Sequence, residues 1–229
     1  MKLSVIMPTY NEAGTLKEII EKVKDVPIDK EIIVVNDGST DSSKEVLSEF
    51  EHDPIVHVVH HDQNHGKGMA IRTGRKHVTG DIVIIQDADL ETNPSDYLHL
   101  VKPILDKKTK VVYGSRLLGN KVEYSWKYYF GGRFVTWVAN ILYGQNITDE
   151  PACYKVFDSE LFSSIPLECE RFEFCPEVTA KVSRMGHKIV ELPMEYYPRD
   201  RSEGKKLQVF DGIEAVWTLI RYKFWKSTN

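Results

Sequence analysis

Short runs of Val and Ile recur through the first half of the chain, each followed by a stretch of helical composition. The runs LSVIMP (3–8), EIIVVN (31–36), IVHVVHH (55–61), DIVIIQ (81–86) and KVVYGS (110–115) have strand length and are apolar almost throughout. Near-continuous apolar runs fit strands covered on both faces. Between them, residues 12–24, 41–51, 67–78 and 95–107 have helical spacing. This alternation predicts an α/β fold with a mostly parallel central sheet flanked by helices. Ligands of such sheets bind at the carboxyl ends of the strands. Three strands run into polar clusters there: PTYNE, NDGSTDSS and QDADLE. The pattern therefore places a site along one sheet edge.

The second half is less regular. A helix is predicted over 125–143, with Gly131 and Gly132 as candidate breaks, and another over 176–185, with Pro176 in its first turn. HKIVELPMEYYP reads as a strand, and RDRSEGKK after it as a polar loop. In 207–225, Phe210, Ile213, Trp217, Ile220 and Phe224 recur at helical spacing, which predicts a C-terminal amphipathic helix. No repeat or linker divides the chain, so residues 1–229 are expected to form a single domain. The expected parts are a regular first half (1–115), a less regular second half (116–206) and the last helix (207–229).

Composition narrows the class. Apolar residues at 41% and charged ones at 28% describe an ordinary globular protein, long enough for a sizeable core. A net charge of −4 gives no reason to expect nucleic acid. Residues 181–229 hold ten Lys/Arg against six Asp/Glu, a surplus of four that leaves −8 for the rest. Three cysteines, Cys153, Cys169 and Cys175, without CxxC spacing suggest a reducing compartment. The N-terminus lacks a signal-peptide layout and no window of 18 apolar residues occurs, so a cytoplasmic location is expected.

The acids at the end of DIVIIQDADLE carry the chemistry. Asp87 and Asp89 lie two apart, so their side chains share a direction at an extended strand end. Two such carboxylates suit one Mg²⁺ or Mn²⁺ whose other ligands are phosphate oxygens and water. An EF-hand is excluded, because Thr92 and Leu98 stand where that loop needs Gly and Glu. His57, His60, His61 and His65 lack zinc-site spacing. GKGMAIRTG is neither a dinucleotide fingerprint nor a P-loop.

Taken together, MPTYNEAGTL, VVNDGSTDSS, NHGKGMAIRTG and QDADLE, in that order, resemble family 2 glycosyltransferases of the GT-A fold. Within that family the chain looks most like dolichyl- and polyprenyl-phosphate sugar synthases. The resemblance implies a nucleotide-diphospho-sugar donor, inversion at the anomeric carbon and a metal held at Asp87, Asp89 and Glu91. It implies nucleotide binding by Pro8, Tyr10, Glu12, Asp37, Lys67, Asp87 and Ala88. Glu91 stands where relatives often carry Gln.

The resemblance also implies that Arg116, Arg133 and a basic residue of the RDRSEGKK loop, with Arg201 and Lys205 foremost, hold the phosphate of a polyprenyl acceptor. Arg199 and Lys206 lie in the same stretch. Asp89, Arg116, Arg133 and Asp149 are then the residues expected to carry catalysis. An anionic acceptor needs no general base, whereas a sugar hydroxyl would. Asp149, Glu173 and Glu177 are candidate bases, so transfer to a hydroxyl of a surface polysaccharide or glycolipid stays open. The rival readings are a sugar nucleotidyltransferase, which expects a Gly-rich basic loop in place of PTYNE, and a non-catalytic binding module. A lipid acceptor further implies contact with a membrane surface, peripheral on its cytoplasmic face, or with a membrane-anchoring subunit. The C-terminal helix is expected to pack part of its stripe on the core.

Overall fold

The Val/Ile runs pair as the sequence predicts. In the computed structural model, which describes residues 1–120, 126–199 and 209–226, strands β1 (Leu3–Thr9), β2 (Lys30–Asn36), β3 (Val56–His60) and β4 (Ile82–Ile85) are parallel neighbours. Register is set residue for residue, with Val5 opposite Ile32 on one side and Ile84 on the other. Strands β5 (Val111–Ser115), β6 (Lys155–Asp158) and β7 (Val190–Pro193) complete a seven-stranded sheet ordered β3-β2-β1-β4-β6-β5-β7. Strand β6 is antiparallel to both its neighbours and separates β4 from β5.

Successive residues of each inner strand feed opposite cores. Val5, Met7, Ile32, Val34 and Ile84 pack on α1 (Ala13–Asp25) and α2 (Ser43–Ser48). Ile6, Ile33, Val35, Val83 and Ile85 instead meet α3 (Lys67–Arg75), α7 (Ser159–Ser164) and α8 (Phe174–Arg184). Burying each such side chain contributes about 1.5–3 kcal/mol, which explains why these runs are apolar almost throughout. Because the order leaves β1 toward β2 on one side and toward β4 on the other, a crevice opens at their carboxyl ends. That edge carries PTYNE, NDGSTDSS and QDADLE.

Several expectations are corrected. The helix expected over 95–107 is a 3₁₀ turn (Pro94–Asp96) followed by two short helices, α4 (Tyr97–Leu100) and α5 (Lys102–Leu105). Pro103 lacks the N–H that a continuous helix would use, so the backbone restarts there. Helix α6 (Trp126–Tyr143) runs through Gly131 and Gly132 without a break. Thr136 donates its hydroxyl to the Gly132 carbonyl inside that helix. Strand β6 had no prediction: four residues of YKVFD are too short to signal pairing against strands distant in sequence.

The last helix, α9 (Val209–Tyr222), packs on α6 and α8 through Leu219 and Tyr222, not through the predicted stripe. Phe210, Ile213, Trp217, Ile220 and Phe224 are all exposed, from 45% for Ile220 to 83% for Phe224. No helix of the described residues is long and apolar enough to cross a membrane.

Candidate active site

Gln86, the last buried residue of the β4 segment, fixes the chain as it leaves the sheet. Its amide donates to the Asp87 carbonyl and the Thr92 hydroxyl, and its carbonyl oxygen accepts from Tyr97 and Tyr154. Every polar atom of this fully buried side chain is satisfied, so the exit direction of the acidic turn is rigidly set. Thr15 of α1 donates to the Ala88 carbonyl at 2.7 Å, tying the turn to the first helix. Leu90 takes a left-handed φ of 60°, which curls the chain back so that the Glu91 N–H reaches Asp89 Oδ1 at 3.2 Å.

The loops after β1 and β2 are laced to each other. Asn11 N–H donates to Ser39 Oγ, Asn11 Oδ1 accepts from Thr40 N–H, and Glu12 N–H donates to Ser43 Oγ. Pro8 lies opposite Val35 in the sheet, with Tyr10 half-buried just beyond. Asp37 is almost wholly buried, and its carboxylate accepts from His61 Nδ1, His65 N–H and Gly66 N–H at 2.7–2.9 Å. It thereby organises the 61–66 loop, and His61 passes the link on to Thr73 of α3. Gly38 permits this packing: at φ +66°, a Cβ there would lie 2.3 Å from the Gln63 carbonyl carbon.

Lys67, the first residue of α3, reaches Asp87 at 2.6 Å. Burial alone would raise the Asp87 pKa, but the Lys67 ammonium outweighs it and holds the carboxylate ionised. Burial likewise works against the Lys67 charge, and Asp87 reverses this. Asp89 has no comparable partner. Burial, then Asp87 and Glu91, push its pKa up to about 7, with Arg199 opposing.

Arg199, which the sequence left unassigned in the basic stretch, lies among the acids: its guanidinium is 2.9 Å from Glu12 and 3.2 Å from Asp89. Its backbone N–H donates to Glu91 Oε1, and Tyr196 donates its hydroxyl to Glu91 Oε2 at 2.8 Å. Both oxygens of Glu91 thus hold the segment after β7, whereas Asp87 and Asp89 are the pair brought together. Among the described residues no three His, Cys, Asp or Glu side chains converge on one metal position. The Asp87–Asp89 pair still fits a hard divalent cation that draws its remaining ligands from a diphosphate. Burial first, and then repulsion from Asp87 and Glu91, raise Asp89, as expected where negative charge is enclosed without full balance.

A second cluster lies on the far side of Tyr196. Arg116, just past β5, clasps Asp149 through Nε at 2.8 Å and through its terminal nitrogen at 2.7 Å, and its N–H adds a third bond. The Tyr196 ring centroid lies 5.2 Å from the guanidinium carbon. Burial would raise the Asp149 pKa, but Arg116 overcomes it and keeps the carboxylate charged. Glu191 of β7 accepts from the N–H groups of Thr148 and Asp149, so this turn is positioned from the sheet. Arg133 of α6 donates to the Thr148 carbonyl at 3.3 Å, which joins it to the same turn. Arg116, Arg133 and Asp149 therefore meet at one turn. Arg201, Lys205 and Lys206 lie outside the described residues.

The remaining candidate bases have other surroundings. Glu177 is fully buried against Lys181 at 2.7 Å and accepts from the N–H groups of Glu168 and Cys169. Glu173 heads α8 with one enclosed carboxylate oxygen that has no partner among the described residues. Gln86, Glu191 and Tyr196 were missed by sequence reasoning. Their partners lie 42 to 105 residues away, or, for Gln86, are two tyrosines that no local pattern marks.

Comparison with known proteins follows the same lines. Residues 4–165 match the profile of Glycosyl transferase family 2. A dolichyl-phosphate beta-glucosyltransferase of Trichomonas vaginalis is 31% identical over 237 residues, covering 96% of this chain and 72% of its own. An undecaprenyl-phosphate mannosyltransferase of Micrococcus luteus is 27% identical over 233 residues, covering 97% and 94%. Among solved structures, glucosyl-3-phosphoglycerate synthase from Mycobacterium tuberculosis, in complex with Mn²⁺, UDP and glucosyl-3-phosphoglycerate, superposes with a TM-score of 0.72. At 20% identity over 96% of this chain and 79% of that one, this likeness speaks for the fold.

Proposed function

Because the chain belongs to glycosyl transferase family 2 and is a glycosyltransferase, we propose that it moves a sugar from a nucleotide-diphospho-sugar to a polyprenyl phosphate, with inversion. The observation that carries this reading is the commitment of two of the three candidate bases. Asp149 is clasped by Arg116 and Glu177 by Lys181, so neither stands ready to take a proton from a sugar hydroxyl. A phosphate acceptor is already anionic and needs cations to position it. Arg116 and Arg133 border the same turn, and the relatives named above act on dolichyl or undecaprenyl phosphate.

In this reading residues 1–115 hold the donor. Pro8, Tyr10, Glu12 and Asp37 shape the nucleoside pocket, with Asp37 acting through the loop it organises. Asp87, with Ala88 and Asp89, faces the diphosphate, and Lys67 keeps Asp87 deprotonated. A Mg²⁺ or Mn²⁺ held by Asp87 and Asp89 would stabilise the charge that develops on the departing diphosphate. Arg116 and Arg133 orient the acceptor phosphate opposite the bond that breaks, and Arg201 and Lys205 add charge from the loop. Asp149 fixes the Arg116 fork. Glu91 anchors the segment that bears Tyr196 and Arg199.

The test is direct. Purified protein is incubated with undecaprenyl or dolichyl phosphate and labelled UDP- or GDP-sugars, with Mg²⁺, Mn²⁺ or EDTA, and label is counted in the organic phase. Metal-dependent label from one donor is the expected result. Metal-dependent nucleotide release without lipid label would sink the acceptor half of the reading and keep the donor half.

A further inference from the structure

We infer that the paired outer faces of α6 and α9 form a docking surface for an anionic membrane. Both helices bury one side against α8, through Val135 and Ala139 of α6 and Leu219 and Tyr222 of α9 around Ala180. Two helices laid side by side on a third turn their opposite faces outward together. On α6 that outer face carries Phe130, Phe134, Trp137 and Ile141, each 54–61% exposed and spaced by turns of the helix. On α9 it carries the five-residue stripe described above. The two faces expose roughly 1,000 Å² of aromatic and aliphatic surface, taking about 150–250 Å² for each large side chain when fully exposed. The largest patch on an ordinary monomer is about 300–600 Å².

Charge decides between a bilayer and a second copy of the chain. Residues 126–143 and 209–226 hold five Lys/Arg against two Asp/Glu, in a chain whose net charge is −4. Arg221, Lys223 and Lys226 lie at or just past the end of α9, Arg221 3.8 Å from Glu168 and Lys223 donating to the Leu142 carbonyl of α6. A two-fold interface would set the same basic patch against its own copy, which repels. Aromatics with cations at their edge match the layered chemistry of an anionic lipid surface, apolar inside and negative at the headgroups. Arg133 lies between Phe130 and Phe134 in the chain and bonds the Thr148 carbonyl, so the docking helix also carries a cation of the Arg116–Asp149 cluster. The inference goes beyond the proposed reaction, since it does not depend on which molecule accepts the sugar.

The experiment is flotation of the full chain with phosphatidylcholine–phosphatidylglycerol vesicles and with pure phosphatidylcholine vesicles, with no acceptor lipid and no donor present. Binding is expected on the anionic vesicles, weakened by high salt, and about tenfold weaker for Trp137→Ser/Trp217→Ser. That double variant should keep its melting temperature and its affinity for UDP or GDP. Quenching of the wild-type tryptophans by brominated phospholipid supplies a readout that needs no variant. Wild-type protein that stays in solution and is not quenched overturns the inference, as does a variant that binds like wild type. A concentration-dependent dimer that those substitutions abolish, without vesicle binding, also overturns it and assigns the face to a second copy. None of these measurements contains donor or acceptor lipid, so failure here is distinct from failure of the proposed reaction.

Discussion

The guanidinium of Arg199 lies 3.2 Å from Asp89 Oδ2 and, through its other terminal nitrogen, 2.9 Å from Glu12. A side chain from beyond β7 thus supplies positive charge to the acids at the ends of β1 and β4.

Arg199 and a divalent cation compete for Asp89. Arg199→Gln is expected to bind Mn²⁺ about three- to tenfold more tightly in the absence of nucleotide, as removal of an ion pair of about 1 kcal/mol would allow. Titration followed by electron paramagnetic resonance of free Mn²⁺ checks this. Unchanged or weaker binding would show that Arg199 supports the cation position instead of contesting it.

Asp89 gives the fold a pH dependence of definite sign. Its folded pKa of about 7 lies above the ordinary 3.8, so the folded chain retains a proton that the unfolded chain has lost. Stability therefore falls as pH rises from about 4 to about 7 and levels off above, by at most about 2–4 kcal/mol. Asp89→Asn should flatten that slope in urea denaturation with EDTA present. A slope that survives the substitution would assign the proton to another group.

Arg116→Lys keeps the charge and loses the fork that clasps Asp149. Losing a charge-assisted bond of about 1.5–3 kcal/mol predicts transfer to lipid phosphate about 10- to 150-fold slower, with nucleotide affinity unchanged. Isothermal titration with UDP or GDP, run beside the transfer assay, separates the two. A parallel loss of nucleotide affinity would move Arg116 to the donor side.

Glu177 and Lys181 are both fully buried and 2.7 Å apart. Glu177→Gln leaves the Lys181 ammonium with the half-exposed Glu168, 3.3 Å away, as its remaining carboxylate partner and is expected to cost about 1.5–3 kcal/mol of stability. Glu177→Leu/Lys181→Met should cost less, because no charge then remains to be desolvated. Urea midpoints of the three proteins decide it, and a single variant within about 0.5 kcal/mol of wild type would refute this account of the pair.

The parallel half of the sheet was legible because its strands are apolar on both faces and each ends in a polar cluster, as at Gln86–Asp87. The pairing of Asp87 with Asp89 was legible for the same local reason. Strand β6 was not, since Val156 and Phe157 become strand residues only through partners in β4 and β5. The continuity of α6 through Gly131 and Gly132 rests on the packing of Val135 and Ala139, which overrides the weak helix propensity of glycine. Arg199 was not legible, for an electrostatic reason. Its stretch of sequence is mixed in charge, whereas its neighbours in space, Glu12, Asp89 and Glu91, come from strand ends more than a hundred residues earlier.

Tyr196 bears on the kinetics of the reaction. Its hydroxyl holds Glu91 while its ring lies against Arg116, and Arg199 follows three residues later. Withdrawing Arg199 from Asp89 to admit a diphosphate would tug on the residue against which Arg116 rests. The two substrates would then bind in a compulsory order, donor first, and a dead-end analogue of the acceptor would inhibit uncompetitively against the nucleotide sugar.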